Sequence, residues 1–288
     1  MKKLLKKIYN IIPFKKELFS LIRPIKLPKS IYSHLHFKDK FKVKFDNYHF
    51  LIEHHGYQIE NELFWNGLTN GWEKISMRLW IDLCKNSSTI IDIGANTGIY
   101  SLVAKAINPS AAVYGFEPVK RVNEKFIKNC ALNNFDISCL AYAISNYNGE
   151  AVIYDTNADH IYSVTVNKNM AVGIETFETK IKTKKLSSFI EEMNIENIDL
   201  IKIDVETHEP EVLEGMEDYL NKFQPTMLIE ILNDEVGKKV QDLIKGIDYI
   251  YFNIDEVNKP NRVDTIKKSD YYNYLICKKE IAKKLNLI

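Results

Sequence analysis

The stretch Ile90-Ile91-Asp92-Ile93-Gly94-Ala95-Asn96-Thr97-Gly98-Ile99-Tyr100 decides how this chain folds. A short apolar run ends on an acid, two glycines follow four residues apart, and a helical apolar period begins after them. This order predicts a buried strand over Thr89–Ile93, a tight bend, and a helix through Tyr100–Ile107. Glycine permits backbone angles and close approaches that a side chain would block. In open α/β sheets the crevice beyond such strand ends is where ligands bind.

The bend does not suit a dinucleotide. That fingerprint needs glycines at three positions, the second admitting a pyrophosphate. Aligned on Gly94, the second and third positions are Asn96 and Ile99. A P-loop is excluded because no Gly-Lys-Ser/Thr follows. A ligand without phosphate fits better.

Working outward, Ala112–Phe116 reads as a second strand, ending in Tyr114-Gly115-Phe116-Glu117-Pro118. Glu117 lies 25 residues after Asp92, where a carboxylate can accept hydrogen bonds from both hydroxyls of a ribose. Val122, Phe126 and Cys130 mark a helix, and Ile137–Ile144 a third strand. Ala151–Tyr154, Tyr162–Val166 and Phe177–Thr183 read as antiparallel β additions, and Leu186–Met193 as a short helix. Ile198–Val205 reads as a buried parallel strand, followed by a helix carrying Val212, Leu213, Met216, Tyr219 and Leu220. Thr226–Ile231, Tyr249–Ile254 and Tyr271–Cys277 supply further strands, the last two closing the sheet at its far edge. Alternating strands and helices imply βαβ units on a parallel sheet.

A polar cluster follows the fourth strand: Ile203-Asp204-Val205-Glu206-Thr207-His208-Glu209-Pro210-Glu211. Pro210 suits a first helical turn, and Glu209 and Glu211 suit the positive helix terminus. Asp204, Glu206 and His208 alternate along the strand exit, so an extended backbone would place them on one side of the crevice. Two carboxylates and an imidazole suit removal of a proton from a hydroxyl, with His208 as base and Glu206 or Asp204 orienting it. They would also suit a hard divalent cation, although one histidine with two acids is unspecific, and no metal is assigned. Glu230, at the end of its strand, is expected to line the same crevice as a substrate contact.

Upstream, residues 41–60 read as extended and 62–85 as helical. Of His49, His54 and His55, each is read first as a structural histidine. The polar and aromatic stretch 53–61 suggests a substrate lid, with His55 and Tyr57 as candidate acceptor contacts. Three segments result: a basic leader over 1–40, a cap over 41–85 and the main domain over 86–288.

Charge is unevenly spread. The first thirty residues carry nine lysines and arginines against one acid, Glu17. Setting them aside from the 39 basic and 38 acidic residues of the chain leaves 30 against 37. An acidic body without an aromatic-interleaved basic patch excludes electrostatic nucleic-acid binding. Leu4, Leu5, Ile8, Ile11 and Ile12 cluster near one helical face among lysines, so residues 1–28 read either as a surface-packed leader or as a peripheral membrane contact. Cys84, Cys130, Cys139 and Cys277 lack metal-site or disulfide spacing and read as reduced thiols of a cytoplasmic protein, at the inner face of the membrane if the leader docks there. No apolar run is long enough for a transmembrane helix.

Together, IDIGANTGIYSLVAK (91–105), VYGFEPV (113–119), AYAISNYNGEAVIY (141–154), IDLIKIDVETHEPEVLEGM (198–216) and TMLIEI (226–231) resemble the FkbM family of methyltransferases. The resemblance implies a Rossmann-like class I methyltransferase, α/β, with a mostly parallel seven-stranded sheet in the order 3-2-1-4-5-7-6. Helices would cover both faces, with added β-strands. It implies S-adenosyl-L-methionine as cofactor and O-methylation of a small-molecule sugar or glycan acceptor, which points to surface polysaccharide assembly. Carried over by position, Asp92, Gly94, Ala95, Asn96, Thr97, Gly98 and Tyr100 would surround the methionine part. Glu117 and Pro118 would hold the ribose, and Ala143 and Ile144 would lie near the adenine. Thr207 stands where the family pattern usually has glycine. Two other readings stay open at this point: a nicotinamide-dependent oxidoreductase, and a non-catalytic module that keeps the cofactor site.

Overall fold

The computed structural model describes Tyr9 and residues 12–156 and 176–288. The chain divides into two compact units, Met1–Trp72 and Glu73–Ile288. The division falls inside the segment expected as a cap.

In the first unit, helices α1 (Lys15–Ile22) and α2 (Lys29–Tyr32) precede a hairpin of β1 (Asp39–Phe45) and β2 (Tyr48–His54), then α3 (Gln58–Asn66). The hairpin is antiparallel, with Phe45 opposite Tyr48. Strand period sends Phe41, Val43, Phe45, Phe50, Ile52 and His54 inward and Lys40, Lys42 and Lys44 outward. The inward residues join Phe19, Phe37, Phe64 and Trp65 in an aromatic core. Burial drives the His54 imidazole down to about 3, so this ring is a neutral core group bonded to Asn61.

The second unit opens with α4 (Lys74–Cys84). The predicted single helix over 62–85 is thus two helices. Gly67 at φ +79° and Glu73 at φ +46° turn the chain between them, angles no continuous helix accepts. Next come β3 (Thr89–Ile93), α5 (Ile99–Ile107), β4 (Ala112–Phe116), α6 (Lys120–Asn133), β5 (Ser138–Leu140) and β6 (Ala143–Ile144). They are followed by β7 (Gly149–Thr156), β8 (Thr176–Lys184), α7 (Leu186–Glu192), β9 (Leu200–Ile203), α8 (Glu209–Glu214) and α9 (Asp218–Phe223). The unit closes with β10 (Thr226–Glu230), α10 (Asp234–Leu243), β11 (Tyr249–Ile254), β12 (Pro260–Val263), β13 (Asn273–Lys278) and α11 (Lys279–Lys284).

The main sheet runs β5-β4-β3-β9-β10-β13-β11-β12. Its first seven strands reproduce the order 3-2-1-4-5-7-6, and β12 adds an eighth at the edge. β13 is antiparallel to both neighbours; β5 through β10 are parallel. Ile90, Ile91, Ile93, Leu200, Ile201 and Ile203 are all buried, as expected for strands covered on both faces. The predicted third strand, Ile137–Ile144, is divided between two sheets. β5 pairs with β4, whereas β6 joins β8 and β7 in a small separate sheet. Tyr162–Val166 lies outside the described residues. The single helix expected after β9 is α8 and α9, broken where Glu217 takes φ +52°.

Candidate active site

The bend after β3 is held by backbone. The Gly94 and Ala95 amides both donate to the Phe116 carbonyl, tying the tip of β3 to the tip of β4. Gly94 sits at φ +80°, and a Cβ there would lie 1.9 Å from the Asp204 carbonyl oxygen. The bend therefore packs directly on the exit of β9. Gly98, at φ +89°, opens α5, and a Cβ on it would strike the Phe126 ring. Both glycines are needed for close approach as well as for angle.

Asp92 is buried, and its carboxylate accepts from the Ser101 amide at 3.0 Å and hydroxyl at 2.7 Å. Burial raises its acid to about 6 against these bonds and the Lys202 charge. Asp92 thus anchors the first turns of α5. The Tyr100 hydroxyl donates to Glu73 at 2.5 Å, and the Tyr100 carbonyl accepts from the Trp80 indole. Glu117, buried at the tip of β4, accepts from the Val119 amide at 2.9 Å and the Asn96 amide at 3.1 Å. Asn96 itself takes φ +52°, which presents that amide. Pro118 leads into Val119, which packs with Val122, Ile153 and Ile181 against Ala143. The Glu117 tip and the start of β6 are thereby neighbours, and Ile144 is buried beside them.

A nucleoside with two ribose hydroxyls and no phosphate suits these groups. Glu117 offers acceptor oxygens at the edge of the bend. Thr97 Oγ1 and Asn123 Nδ2 are buried and carry no hydrogen bond, polar capacity that a bound ligand or its water can use.

The exit of β9 differs from the alternation expected for Asp204, Glu206 and His208. The strand ends at Ile203, and Glu206 and Thr207 take φ +55° and +82°. A period of two requires extended backbone, so His208 leaves the row, while Asp204 and Glu206 both act on Glu230. The geometry also explains why glycine suits position 207: a β-branched residue is strained in the left-handed region.

Asp204 turns to Lys202, with Oδ2 3.1 Å from Nζ. Lys202 is 1% exposed and lies 5.2 Å from the Tyr100 ring centre. Burial alone would push its ammonium down, but Asp204, Glu73 and Glu230 hold it above its ordinary value. Glu73 is raised to about 7 by burial, with Lys202 opposing and Asp204 adding. Glu230 is raised to about 9 by burial, then by Asp204, Glu206 and Glu73, with Lys202 opposing. This end of the sheet therefore holds one fixed cation among several acids, some of them protonated at neutral pH.

His208 turns instead to β6. Its Nε2 lies 3.0 Å from Ser145 Oγ and its Nδ1 3.5 Å from Glu211 Oε2. Ser145 is the hydrogen-bonding partner of the ring, and Asp204, expected to orient it, pairs with Lys202 instead. Burial lowers the imidazole against the pull of Glu211 and Glu214, which keeps it neutral near pH 7. The Ser–His–Glu order resembles a hydrolytic triad, but Ser145 is 0% exposed and out of reach of a substrate. Glu209 is more than a helix-terminus charge. It is fully buried, its Oε1 accepts from the Val205 and Thr207 amides, and burial raises it to about 7.

His55 and Tyr57 belong to the first unit, after β2 and at the start of α3, with ring centres 6.4 Å apart. Lys202, Glu73 and Ser145 were not singled out from sequence. A lysine within Leu-Ile-Lys-Ile is the one available signal for Lys202; Glu73 and Ser145 carry none. Among the described residues, no group of three or more His, Cys, Asp or Glu is arranged to hold a metal ion. A cavity of about 620 Å³ between Asn86, Asn197, Gln224 and Lys284 sits at the opposite, N-terminal ends of β3, β9 and β10 and contains none of these groups.

A doubly wound sheet in this order, with a glycine bend at the tip of β3 and an acid at the tip of β4, defines a class I S-adenosylmethionine-dependent methyltransferase. Residues 92–267 match the model of the Methyltransferase FkbM domain, and the chain belongs to that family. It is similar to Methyltransferase 1 of Beauveria bassiana (strain ARSEF 2860), with 29% identity over 168 residues, 51% of this chain and 68% of the relative. It is also similar to the hexuronic acid methyltransferase AglP of Haloferax volcanii, with 24% identity over 190 residues, 66% of this chain and 73% of the relative. The crystal structure of methyltransferase FkbM from Methylobacillus flagellatus KT aligns with a TM-score of 0.42 and 12% identity. That alignment covers 66% of this chain and 43% of the other, so the chain spans less than half its length.

Proposed function

We propose that this domain methylates a hydroxyl of a sugar or glycan precursor, with His208 as the base. The observation that carries the reading is the contact between the glycine bend and the β9 exit. Gly94 touches the Asp204 carbonyl, so the loop bearing His208 starts at the wall of the cofactor crevice. S-adenosylmethionine bound there supplies an electrophilic methyl group on a sulfonium and departs as a neutral thioether. Alignment of the acceptor oxygen then accounts for most of the catalysis.

The protein's part is to bind, orient and take a proton. Glu117 and the bend hold the adenosyl part. The acids at the sheet end favour the positive charge of the cofactor. Asp204, Glu206 and Glu230 offer acceptors for neighbouring hydroxyls of the acceptor molecule. His208 is neutral and therefore able to accept a proton. Its Nε2 is shared with Ser145, whose hydroxyl also lies 3.4 Å from Asn146 Oδ1. For Nε2 to take a proton from the acceptor, the imidazole has to turn away from Ser145, which is buried.

A sugar acceptor is supported by the similarity to a protein named a hexuronic acid methyltransferase. Glycans assembled for the cell surface are the setting in which such an acceptor is expected. The test is incubation with methyl-labelled cofactor and a panel of uronic acids and nucleotide-activated sugars. Label recovered as a methyl ether supports the reading. Label recovered only on nitrogen or carbon acceptors opposes it.

A further inference from the structure

Helix α1 presents two apolar faces, and the first unit uses one. Phe19 is 3% exposed and packs on Phe37 and Trp65 at 6.4 and 5.7 Å between ring centres. Away from it, Phe14, Leu18, Leu21 and Ile25 are 77, 46, 78 and 68% exposed. Leu18, Leu21 and Ile25, three and four residues apart, share one side of the helix and the turn that continues it, and Phe14 precedes them as the N-cap. Ile12 and Ile31 are exposed as well. A contiguous apolar surface of this kind marks a contact surface rather than a fold requirement.

The charges around the stripe identify the partner. Residues 12–30 carry Lys15, Lys16, Arg23, Lys26 and Lys29 against one acid, Glu17. Lys26 follows Ile25 and is exposed, Lys29 pairs with Glu62 but keeps 66% of its side chain exposed, and Lys15 and Lys16, which follow Phe14, lie over Tyr9 and against Asp39. Protein–protein interfaces are depleted of lysine at their centres. Nucleic acid would take the lysines and leave the stripe wet. A bilayer interface takes both, with apolar side chains at the acyl boundary and ammonium groups among anionic headgroups. Among the described residues no helix is long and apolar enough to cross a membrane, so contact at the surface is the mode that fits.

We propose that the face formed by Phe14, Leu18, Leu21 and Ile25 docks on an anionic lipid bilayer, held by the neighbouring lysines. The proposal is independent of the acceptor and of His208. It is tested with the full chain in vesicle co-sedimentation, using phosphatidylcholine vesicles with and without phosphatidylglycerol. Binding is expected to the mixed vesicles, to weaken as salt is raised, and to be much weaker on phosphatidylcholine alone.

Leu18→Glu/Leu21→Glu should reduce partition on the order of 100-fold, since each buried leucine is worth about tenfold or more. Both side chains are exposed in the free protein, so its melting temperature and affinity for S-adenosylhomocysteine should not change. Lys26→Glu should give a smaller loss that vanishes at high salt. Absence of binding by the parent chain overturns the proposal, as does binding by the double leucine variant equal to the parent's. A concentration-dependent dimer that the double variant abolishes, without vesicle binding, would assign the stripe to a second copy instead.

Discussion

Ser145 Oγ and His208 Nε2 lie 3.0 Å apart, joining the small sheet to the start of α8 across 63 residues of sequence. Glu211 Oε2 lies 3.5 Å from the other ring nitrogen, close enough to pair with it once the ring is protonated. His208→Ala is expected to lower kcat by about 10²–10⁴-fold while leaving S-adenosylhomocysteine affinity within a factor of two, measured by turnover and calorimetry. Ser145→Ala should cost about tenfold or less in kcat, because it removes orientation but leaves the base. Because burial lowers the His208 pKa from its ordinary value of 6.5, the acidic fall in kcat/KM should lie below that pH. Unchanged turnover in His208→Ala would remove the base from the account.

Thr207 at φ +82° is a β-branched residue in the left-handed region, at a position where the family resemblance calls for glycine. Relief of about 1–2 kcal/mol of strain is partly offset by the entropy glycine adds to the unfolded chain. Thr207→Gly should therefore raise the melting temperature by roughly 1–3 °C in a calorimetric scan. A lower melting temperature would mean that the threonine side chain holds the loop.

Stability should decline as pH rises through the neutral range. Glu73, Asp92, Glu209 and Glu230 have folded-state values raised to about 7, 6, 7 and 9. Between the ordinary carboxyl range and those values the folded state binds more protons than the unfolded state, so each added pH unit favours unfolding. The contribution is complete below about pH 4 and lost through pH 6–9. Urea midpoints should fall from pH 6 to pH 9, and Glu230→Gln should flatten the upper part of that fall. A midpoint that rises across this window would contradict the buried-acid arrangement.

Gly94 and Gly246 both have left-handed φ, +80° and +94°, but only Gly94 is crowded. A Cβ at Gly246 meets nothing within 4 Å, whereas at Gly94 it meets the Asp204 backbone. Gly246→Ala should cost about 1–2 kcal/mol of backbone strain. Gly94→Ala should cost more and also abolish cofactor binding, because neither strand tip can withdraw. Denaturant titration with and without S-adenosylhomocysteine separates the two effects.

The nucleotide-binding half was legible because its signals are local. The Thr89–Ile93 run is buried on both faces beyond its first residue, Ala112–Phe116 buries Val113, Gly115 and Phe116, and the glycines between strand and helix leave a pattern of their own. What sequence could not supply was backbone direction beyond the strand ends. Asp204, Glu206 and His208 look like one alternating row until the positive φ of Glu206 and Thr207 turns His208 to Ser145 while Asp204 pairs with Lys202. Lys202 looks like an ordinary lysine until Asp204, Glu73 and Glu230 converge on it from three elements. Ser145 gives no local signal because its meaning lies in a residue 63 positions away.

The most direct measurement of the cofactor site is calorimetric titration of the purified chain with S-adenosylmethionine and S-adenosylhomocysteine. Both should bind saturably. Glu117→Ala, folded as judged by its thermal transition, should bind about ten- to a hundredfold more weakly. If the parent chain takes up neither compound, or if Glu117→Ala binds both as tightly as the parent, the crevice between the tips of β3 and β4 is not the cofactor site.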